Sequence, residues 1–419
     1  MRLGTQNDEP KVNTWVVRLG NIGQLQDRPN ANAHINKRSL VAQGTGSSLD
    51  PKEALVRAHG EAWERYCTYL YQNEQFIFAS AAELGTSALD LDTIPKCSKA
   101  ELSNPRCPLV APKKDAPIRW ILGLSLLTGC PIYLPAVMVY LRTGYTSRDE
   151  RICLPITTGC AAHNSLEKAL LGAILEVVER DAISIAWLQK LPLPRIELDL
   201  IHLFKQYWES YQRGSKNLDY AFFDATTDLG IPIIYGLQIS RMNRYGTTLV
   251  SCSSALNPVN AIKKVMTDMG AFRRNFRTER SVPDSWDDFT EIMHGATYMA
   301  RAEQASAFNF ILDSNQRRPL SAVLNLGNEN KGNDRETLSN ILDIFRGKQL
   351  EVFAVDITTD EALRFGVRSV RVIIPGLQPL SLNYRAKYLG HSRLYTAPKQ
   401  MGYRVLSEDQ LNQWPQPFA

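Results

Sequence analysis

A single short pattern recurs in this chain, and its spacing constrains the fold more than any other feature. Ala54-Leu55, Glu61 and Glu64-Arg65 reappear, 115 residues further on, as Ala169-Leu170, Glu176 and Glu179-Arg180. A third copy, 207 residues from the first, keeps Pro258, Ala261 and an acid, Asp268, in the places of Pro51, Ala54 and Glu61. It then departs, with Ala271 and Phe272 where Glu64 and Arg65 stood. Solenoid repeats recur every 20 to 50 residues or so, and copies this far apart point instead to one site assembled by converging helices. Each copy opens on a helix-start signal. Asp50-Pro51 and Asn257-Pro258 set a capping side chain before a proline, and Asn164-Ser165 precedes Glu167 at a capping-box-like spacing.

Residues i, i+3 and i+4 share a helix face, so Glu61, Glu64 and Arg65 point one way, as do Glu176, Glu179 and Arg180. The second set belongs to an otherwise apolar helix with Leu166, Ala169, Leu170, Ala173, Ile174, Val177 and Val178. Carboxylates on such a helix are costly to bury unless their charge is compensated. Mg²⁺, which wants hard oxygen ligands, and phosphate, which arginine grips with two parallel hydrogen bonds, would together do so. One copy by itself reads first as an ordinary ion pair; two in register with a third acidic helix favour a shared site. No GxxxxGK[ST] loop, GxGxxG after a strand, HExxH or GxSxG elbow competes with it. Gly44-Thr45-Gly46-Ser47-Ser48 reads as a flexible turn whose N–H groups could meet a phosphate. His59 reads as a packing or polar-network residue.

Short β-branched runs at Trp15–Leu19, Ile233–Leu237 and Val370–Ile374 alternate with helical stretches, which makes the fold mixed α and β. With 44% hydrophobic and 22% charged residues among 419, the chain is an ordinary globular protein. Seven cysteines without a CxxC pair argue against a disulfide framework or a structural zinc, and for a reducing cytoplasm. There is no signal segment, and no apolar run reaches the roughly 20 residues of a membrane span. The formal charge of +5 is dispersed. Its densest cluster, Arg273 to Arg280, reads as a solvated helix end, and nothing suggests nucleic-acid binding.

These residues resemble the YcaO family. The resemblance is carried by Asp50-Pro51-Lys52-Glu53-Ala54 running to Glu61-Ala62-Trp63-Glu64-Arg65-Tyr66, and by Thr158-Gly159-Cys160 running through Asn164 to Glu176-Val177-Val178-Glu179-Arg180. Val355-Asp356-Ile357-Thr358 and Val370 to Leu380 look like the family's C-terminal core. The match runs from about Gly46 to the end. It implies an N-terminal extension, 1–45, and a YcaO domain, 46–419, with subregions 46–150 and 151–419 and a proline-containing tail, 413–419. The implied fold is mixed α/β, with β-sheets flanked by helices and an ATP site between converging helices.

The resemblance further implies ATP and Mg²⁺ as cofactors. Glu61, Glu64, Glu176 and Glu179 would hold the metal or stand just behind its ligands, and with Arg180 would carry the chemistry. Arg65, Arg180 and Arg273 would meet phosphates, with Asn164 near the nucleotide. Arg57, Lys168, Ala271 and Ser47 stand where the family is expected to have serine, glutamate, glutamine and lysine, and Ala419 replaces the last proline of the tail. Arg57, Lys168 and Ser47 are retained as candidate nucleotide contacts. The tail resembles the azole-forming branch, in which a Cys, Ser or Thr side chain attacks the preceding amide of a precursor peptide, ATP phosphorylates the oxyanion and phosphate leaves. Sulfide or an amine as nucleophile, giving a thioamide or an amidine, and a non-catalytic scaffold remain as alternatives. The segment before Gly46 is too short for a leader-binding unit, so a leader-holding partner protein is expected, with a dehydrogenase among the candidate partners and a homodimer as the expected assembly.

Overall fold

The computed structural model describes residues 1–5, 9–21, 41–212, 215, 217–327 and 333–418. Three sheets carry the architecture. Strands β1 (Arg2–Leu3), β2 (Asn13–Asn21) and β3 (Val41–Ser48) form an antiparallel sheet with β3 on its edge. A six-stranded antiparallel sheet combines β4 (Phe76–Ala79), β5 (Ile118–Ser125), β6 (Pro131–Pro135) and β7 (Cys160–His163) with the distant β13 (Phe353–Asp356) and β14 (Arg368–Ile373). Its path is β4-β5-β13-β14-β7, with β6 also paired to β5. The five-stranded sheet runs β11 (Thr248–Ser254), β10 (Ile233–Ser240), β9 (Leu218–Asp224), β8 (Arg195–Glu197) and β12 (Arg317–Pro319).

Four helices longer than ten residues are described: α1 (Pro51–Tyr69), α2 (Leu166–Leu188), α3 (Pro258–Phe272) and α4 (Asp334–Gly347). The first three are the helices of the repeated pattern. α1 lies on β2 and β3, α2 packs between β14 and β11, and α3 covers β10 and β11. Shared strands join them: β7 and β14 touch both α1 and α2, β10 and β11 touch both α2 and α3, and β3 touches both α1 and α3. Two starts hold as read: Asp50 accepts from the Lys52 N–H at 2.7 Å and Asn257 from the Val259 N–H at 2.9 Å. α2 is capped one residue later than expected, by Ser165 rather than Asn164, with the Ser165 hydroxyl accepting from the Lys168 N–H at 3.3 Å.

The run Gly44 to Ser48 is a strand and not a flexible turn. Its glycines serve close packing. A Cβ on Gly44 would lie 2.2 Å from Ala62 N, and one on Gly46 only 2.1 Å from Ala54 O. Ala54, Ala58 and Ala62, one helical turn apart, are fully buried along this seam. Since β2 pairs along β3, a boundary at residue 45 cuts through a strand, and the 1–45 segment contributes β1 and β2 to the same sheet. A boundary at 150 is likewise bridged by the six-stranded sheet. All seven cysteines are free thiols, His59 is exposed, and among the described residues no helix is long and apolar enough to cross a membrane.

A buried ion triad locks the C-terminal half of α2. Asp181 pairs with Arg393 at 2.8 Å, and Arg393 pairs with Asp228 at 2.7 Å. The tail then runs back along the helix: Trp187 Nε1 donates to the Trp414 carbonyl, and Phe418 stacks on Arg180 two turns earlier. Ala419 lies outside the described residues.

Gly46→Ala should drive β3 off α1 and destabilise the protein by about 3 kcal/mol or more, read from denaturant unfolding. Gly172→Ala, in α2, meets only Ala161 Cβ at 3.7 Å, and should instead stabilise by about 0.5–1 kcal/mol through helix propensity.

Candidate active site

The two glutamate-arginine faces meet. On α1, Arg65 donates to Glu61 Oε1 from Nε at 3.1 Å and Nη2 at 2.6 Å. The other Glu61 oxygen accepts from the Thr45 N–H of the edge strand β3 at 2.7 Å. On α2, Arg180 reaches back one turn to Glu176 Oε1 at 3.1 Å and sideways to Glu179 Oε1 at 2.7 Å. Glu176 Oε2 accepts from the Gly159 N–H at 3.2 Å and Glu179 Oε2 from the Ser254 N–H at 3.0 Å. Gly159 has φ +83°, and a Cβ there would sit 2.3 Å from Val372 O, so only glycine permits the turn that presents this N–H.

Glu64 is the electrostatic centre. Burial, then the charges of Glu176 on the other helix and Glu61 on its own, push its carboxyl well above the usual range, against the pull of Arg65 and Arg371. Glu176 is also raised, by burial first and by Glu179, with Arg180, the Gly159 N–H and Lys264 opposing. The third helix enters through Lys264, paired with Asp268 at 3.2 Å. Asp268 foremost, and Glu179 with it, raise the Lys264 ammonium against the effect of burial.

The other expected contacts lie elsewhere. Arg57 pairs with Glu53 at 2.7 Å and donates to the Ser47 carbonyl at 3.1 Å. The Ser47 hydroxyl is buried in the small sheet, bonded to Thr14 Oγ1 at 3.0 Å. Lys168 approaches Asp334 of α4 at 3.6 Å, and Asn164 is exposed just before the α2 cap. Arg273 turns away from the glutamates. It donates to Gln238 from Nε and to the Gly246 carbonyl at 3.1 Å from Nη1, and burial pushes its pKa down to about 10. It lines a separate cavity of about 710 Å³ with Arg244 and Arg277. The stretch read as a solvated helix end is therefore largely anchored: Arg273 is only 3% exposed, Arg274 bonds the Val12 carbonyl and Arg277 pairs with Glu9. The N-terminal segment, packed over the end of α3, supplies the partners of Arg274 and Arg277.

Three contributors escaped the sequence reading. Lys264 was signalled, because the 207-residue offset that relates Glu61 to Asp268 also relates Arg57 to Lys264. Arg371 lies in an apolar strand, where a basic residue is itself a signal. The residue is 7% exposed, and its guanidinium donates to the Met138 and Ile156 carbonyls at 2.9 and 2.7 Å. Phe418 sets its ring 4.6 Å from the Arg180 guanidinium, a contact with no local signature.

Among the described residues, no three His, Cys, Asp or Glu side chains form a ready metal cage. Mg²⁺ seldom uses one: it is usually held by one or two carboxylates, with phosphate oxygens and water completing its shell. Glu64 and Glu176, crowded by like charge and half-buried, suit that role.

Residues 45–378 match the model of a family described as YcaO cyclodehydratase, ATP- and Mg²⁺-binding. A protein of Rhizobium leguminosarum bv. trifolii, described as uncharacterised in the tfuA 3' region, is 25% identical over 353 residues, 81% of this chain and 77% of its own. Among solved structures, a heterocyclase in complex with substrate and cofactor superposes with TM-score 0.72 at 21% identity, over 90% of this chain and 50% of that one. This chain thus spans half the length of that heterocyclase. YcaO from Methanopyrus kandleri bound with AMPPCP and Mg²⁺ gives 0.61 at 14% identity, over 89% and 84%. The E. coli microcin synthetase McbBCD complex gives 0.60 at 15%, over 94% and 95%. These structures share the fold, and the family match over most of the chain agrees with three helices that gather carboxylates and guanidinium groups at one place: the protein belongs to the YcaO family.

Proposed function

We propose that this chain uses ATP and Mg²⁺ to activate backbone amides of a ribosomally made precursor peptide, closing Cys, Ser or Thr onto the preceding carbonyl as a thiazoline or oxazoline. The observation that carries this reading is that Glu64 of α1 lies within reach of the charge of Glu176 of α2, with Arg65 and Arg180 beside them on their own helices. ATP supplies a phosphoryl group that makes the amide oxygen a leaving group. The chain's own work is positional and electrostatic.

Glu64 and Glu176 offer oxygens to the cation, and neutralising their repulsion is what makes its binding favourable there. Arg180, paired with Glu176, would be released toward phosphate oxygens if a cation took that carboxylate, and Arg65, held on Glu61 beside Glu64, would stand ready to meet them. Glu61 and Glu179 stay anchored to the Thr45 and Ser254 N–H groups and keep both helices in register. Phe418 covers one face of Arg180 and limits where its guanidinium can swing. A separate protein that grips the leader fits this reading, as does work inside a larger assembly with a dehydrogenase downstream, and dimerisation belongs to the same proposal.

With its precursor, partner and Mg-ATP, the protein should yield peptide lighter by one water per ring, with ADP and phosphate formed in equal amounts, read by mass spectrometry and phosphate release. Oxygen-to-sulfur exchange on adding sulfide would mark thioamide formation instead, and a chain that binds no Mg-ATP at millimolar concentration would be a scaffold.

Glu64→Gln separates stability from function. A carboxyl raised by folding keeps its proton longer in the folded than in the unfolded chain, so its stabilising share is complete at low pH and is lost as pH rises through the raised value. At pH 8 Glu64→Gln should therefore melt roughly 2–4 °C above wild type, while weakening Mg-ATP binding at least about tenfold through the lost ligand. Wild-type binding should release a proton and tighten as pH rises, seen by calorimetry in buffers of differing ionisation heat.

A further inference from the structure

A second cavity adjoins the site, and the mechanism above leaves it unused. About 90 Å³ in volume, it lies between α2 and β14. Two guanidinium groups line it, those of Arg180 and Arg371, together with Thr158 beside the Gly159 N–H that holds Glu176. Cys153, Met138 and Leu377 supply apolar wall. The cavity therefore touches both halves of the charge cluster: Glu176 and Glu179 through Arg180, and Glu64 through Arg371.

Its wall also includes Gln378, 1% exposed, whose Oε1 has no partner. A buried amide oxygen left unpaired costs stability, and reversing the amide does not satisfy it. Nε2 faces two carbonyls, those of Lys387 and Tyr388, both at 3.3 Å, where only the NH₂ group can donate. The backbone is fixed as well, because the Gln378 N–H donates to Asp181 Oδ1 at 2.8 Å, one residue beyond Arg180 and inside the buried triad with Arg393. Oε1 is thus a rigid acceptor held in register with Arg180.

We infer that this cavity seats the residue of the substrate peptide whose side chain attacks the amide, with Gln378 Oε1 accepting that residue's backbone N–H. This rests on the proposed function and names its substrate subsite. Size supports it: an engineered cavity of about 150 Å³ holds a benzene ring, so this one fits the few heavy atoms of Cys, Ser or Thr and excludes Phe or Tyr. Charge supports it too, since an amide seated here lies beside Arg180 and Arg371, whose guanidinium groups favour an oxygen gaining negative charge. Gln378 is a positioning residue in this account and Arg371 lends charge from a fixed place.

The test uses the full chain with saturating Mg-ATP and a blocked dipeptide amide, acetyl-Gly-Cys-amide, titrated by NMR, with nucleotide affinity measured by calorimetry on the same samples. Binding of the Cys peptide, at least tenfold weaker binding of acetyl-Gly-Phe-amide, and a roughly tenfold loss in Gln378→Leu are expected, the last being the effect of one hydrogen bond to a buried acceptor. Gln378→Asn, which keeps the amide oxygen but draws it back by one methylene, should bind more weakly than wild type and more tightly than Gln378→Leu. Cys153→Phe, which fills the cavity, should abolish it, with Mg-ATP affinity unchanged in all three variants. Equal binding of the Cys peptide to wild type, Gln378→Leu and Cys153→Phe would overturn the assignment, as would no binding to a wild type that holds Mg-ATP. Failure of the wild type to bind Mg-ATP would instead remove the proposed function on which the assignment rests.

Discussion

Glu64 and Glu176 approach each other from different helices, and both are driven toward their neutral forms by burial before either feels the other's charge. Left to themselves the two helices would separate. They are held by contacts with no electrostatic content: the glycine-alanine seam that presses α1 onto β3, and the apolar core that surrounds α2. The Asp181–Arg393–Asp228 triad, with the tail laid along α2, fixes the far end of that helix. Packing thus maintains a carboxylate arrangement that burial and like charge oppose, which is the preorganisation that the proposed cation site requires.

The arginines make that place tolerable while it waits. Each of Arg65 and Arg180 is paired with a glutamate four residues earlier on its own helix, at side-chain exposures of 37% and 19%. The more exposed Arg65–Glu61 pair contributes only about 0.3–0.5 kcal/mol, whereas Arg180 and its two glutamates are largely buried, where losing a partner costs more. Arg371 differs, because its hydrogen bonds to the Met138 and Ile156 carbonyls hold it in place whatever binds. One partly exposed guanidinium, Arg65, and two largely buried ones, Arg180 and Arg371, give the cluster its positive background.

What was legible in the sequence was local or repeated. Asp50 and Asn257 cap their helices because capping needs only neighbouring residues, and the strands around Trp15, Ile233 and Val370 follow from β-branched runs. The meeting of the two glutamate faces was legible only because the pattern occurs twice. Gly44 to Ser48 was misread, since glycines that admit a helix backbone and glycines that allow a turn look alike until the helix is in place. Arg273 was misplaced for a similar reason: its partners, Gln238 and the Gly246 carbonyl, lie 35 and 27 residues away in sequence. Arg371 and Gln378 owe their roles to burial, which no spacing encodes.

Arg57 and Lys168, basic where the family resemblance called for neutral or acidic groups, bear on whether the site still works. If either lay against the carboxylates, its positive charge could substitute for a metal and leave an inert ion-pair network. Neither does so. Arg57 is neutralised by Glu53 and Lys168 is drawn toward Asp334, and neither figures among the charges that set Glu64 or Glu176. Lys264, the one basic group from α3 that reaches the cluster, is itself balanced by Asp268. The substitutions therefore add nothing to the positive charge that Arg65 and Arg371 already set against Glu64, and its carboxyl stays raised by burial and by its acidic neighbours.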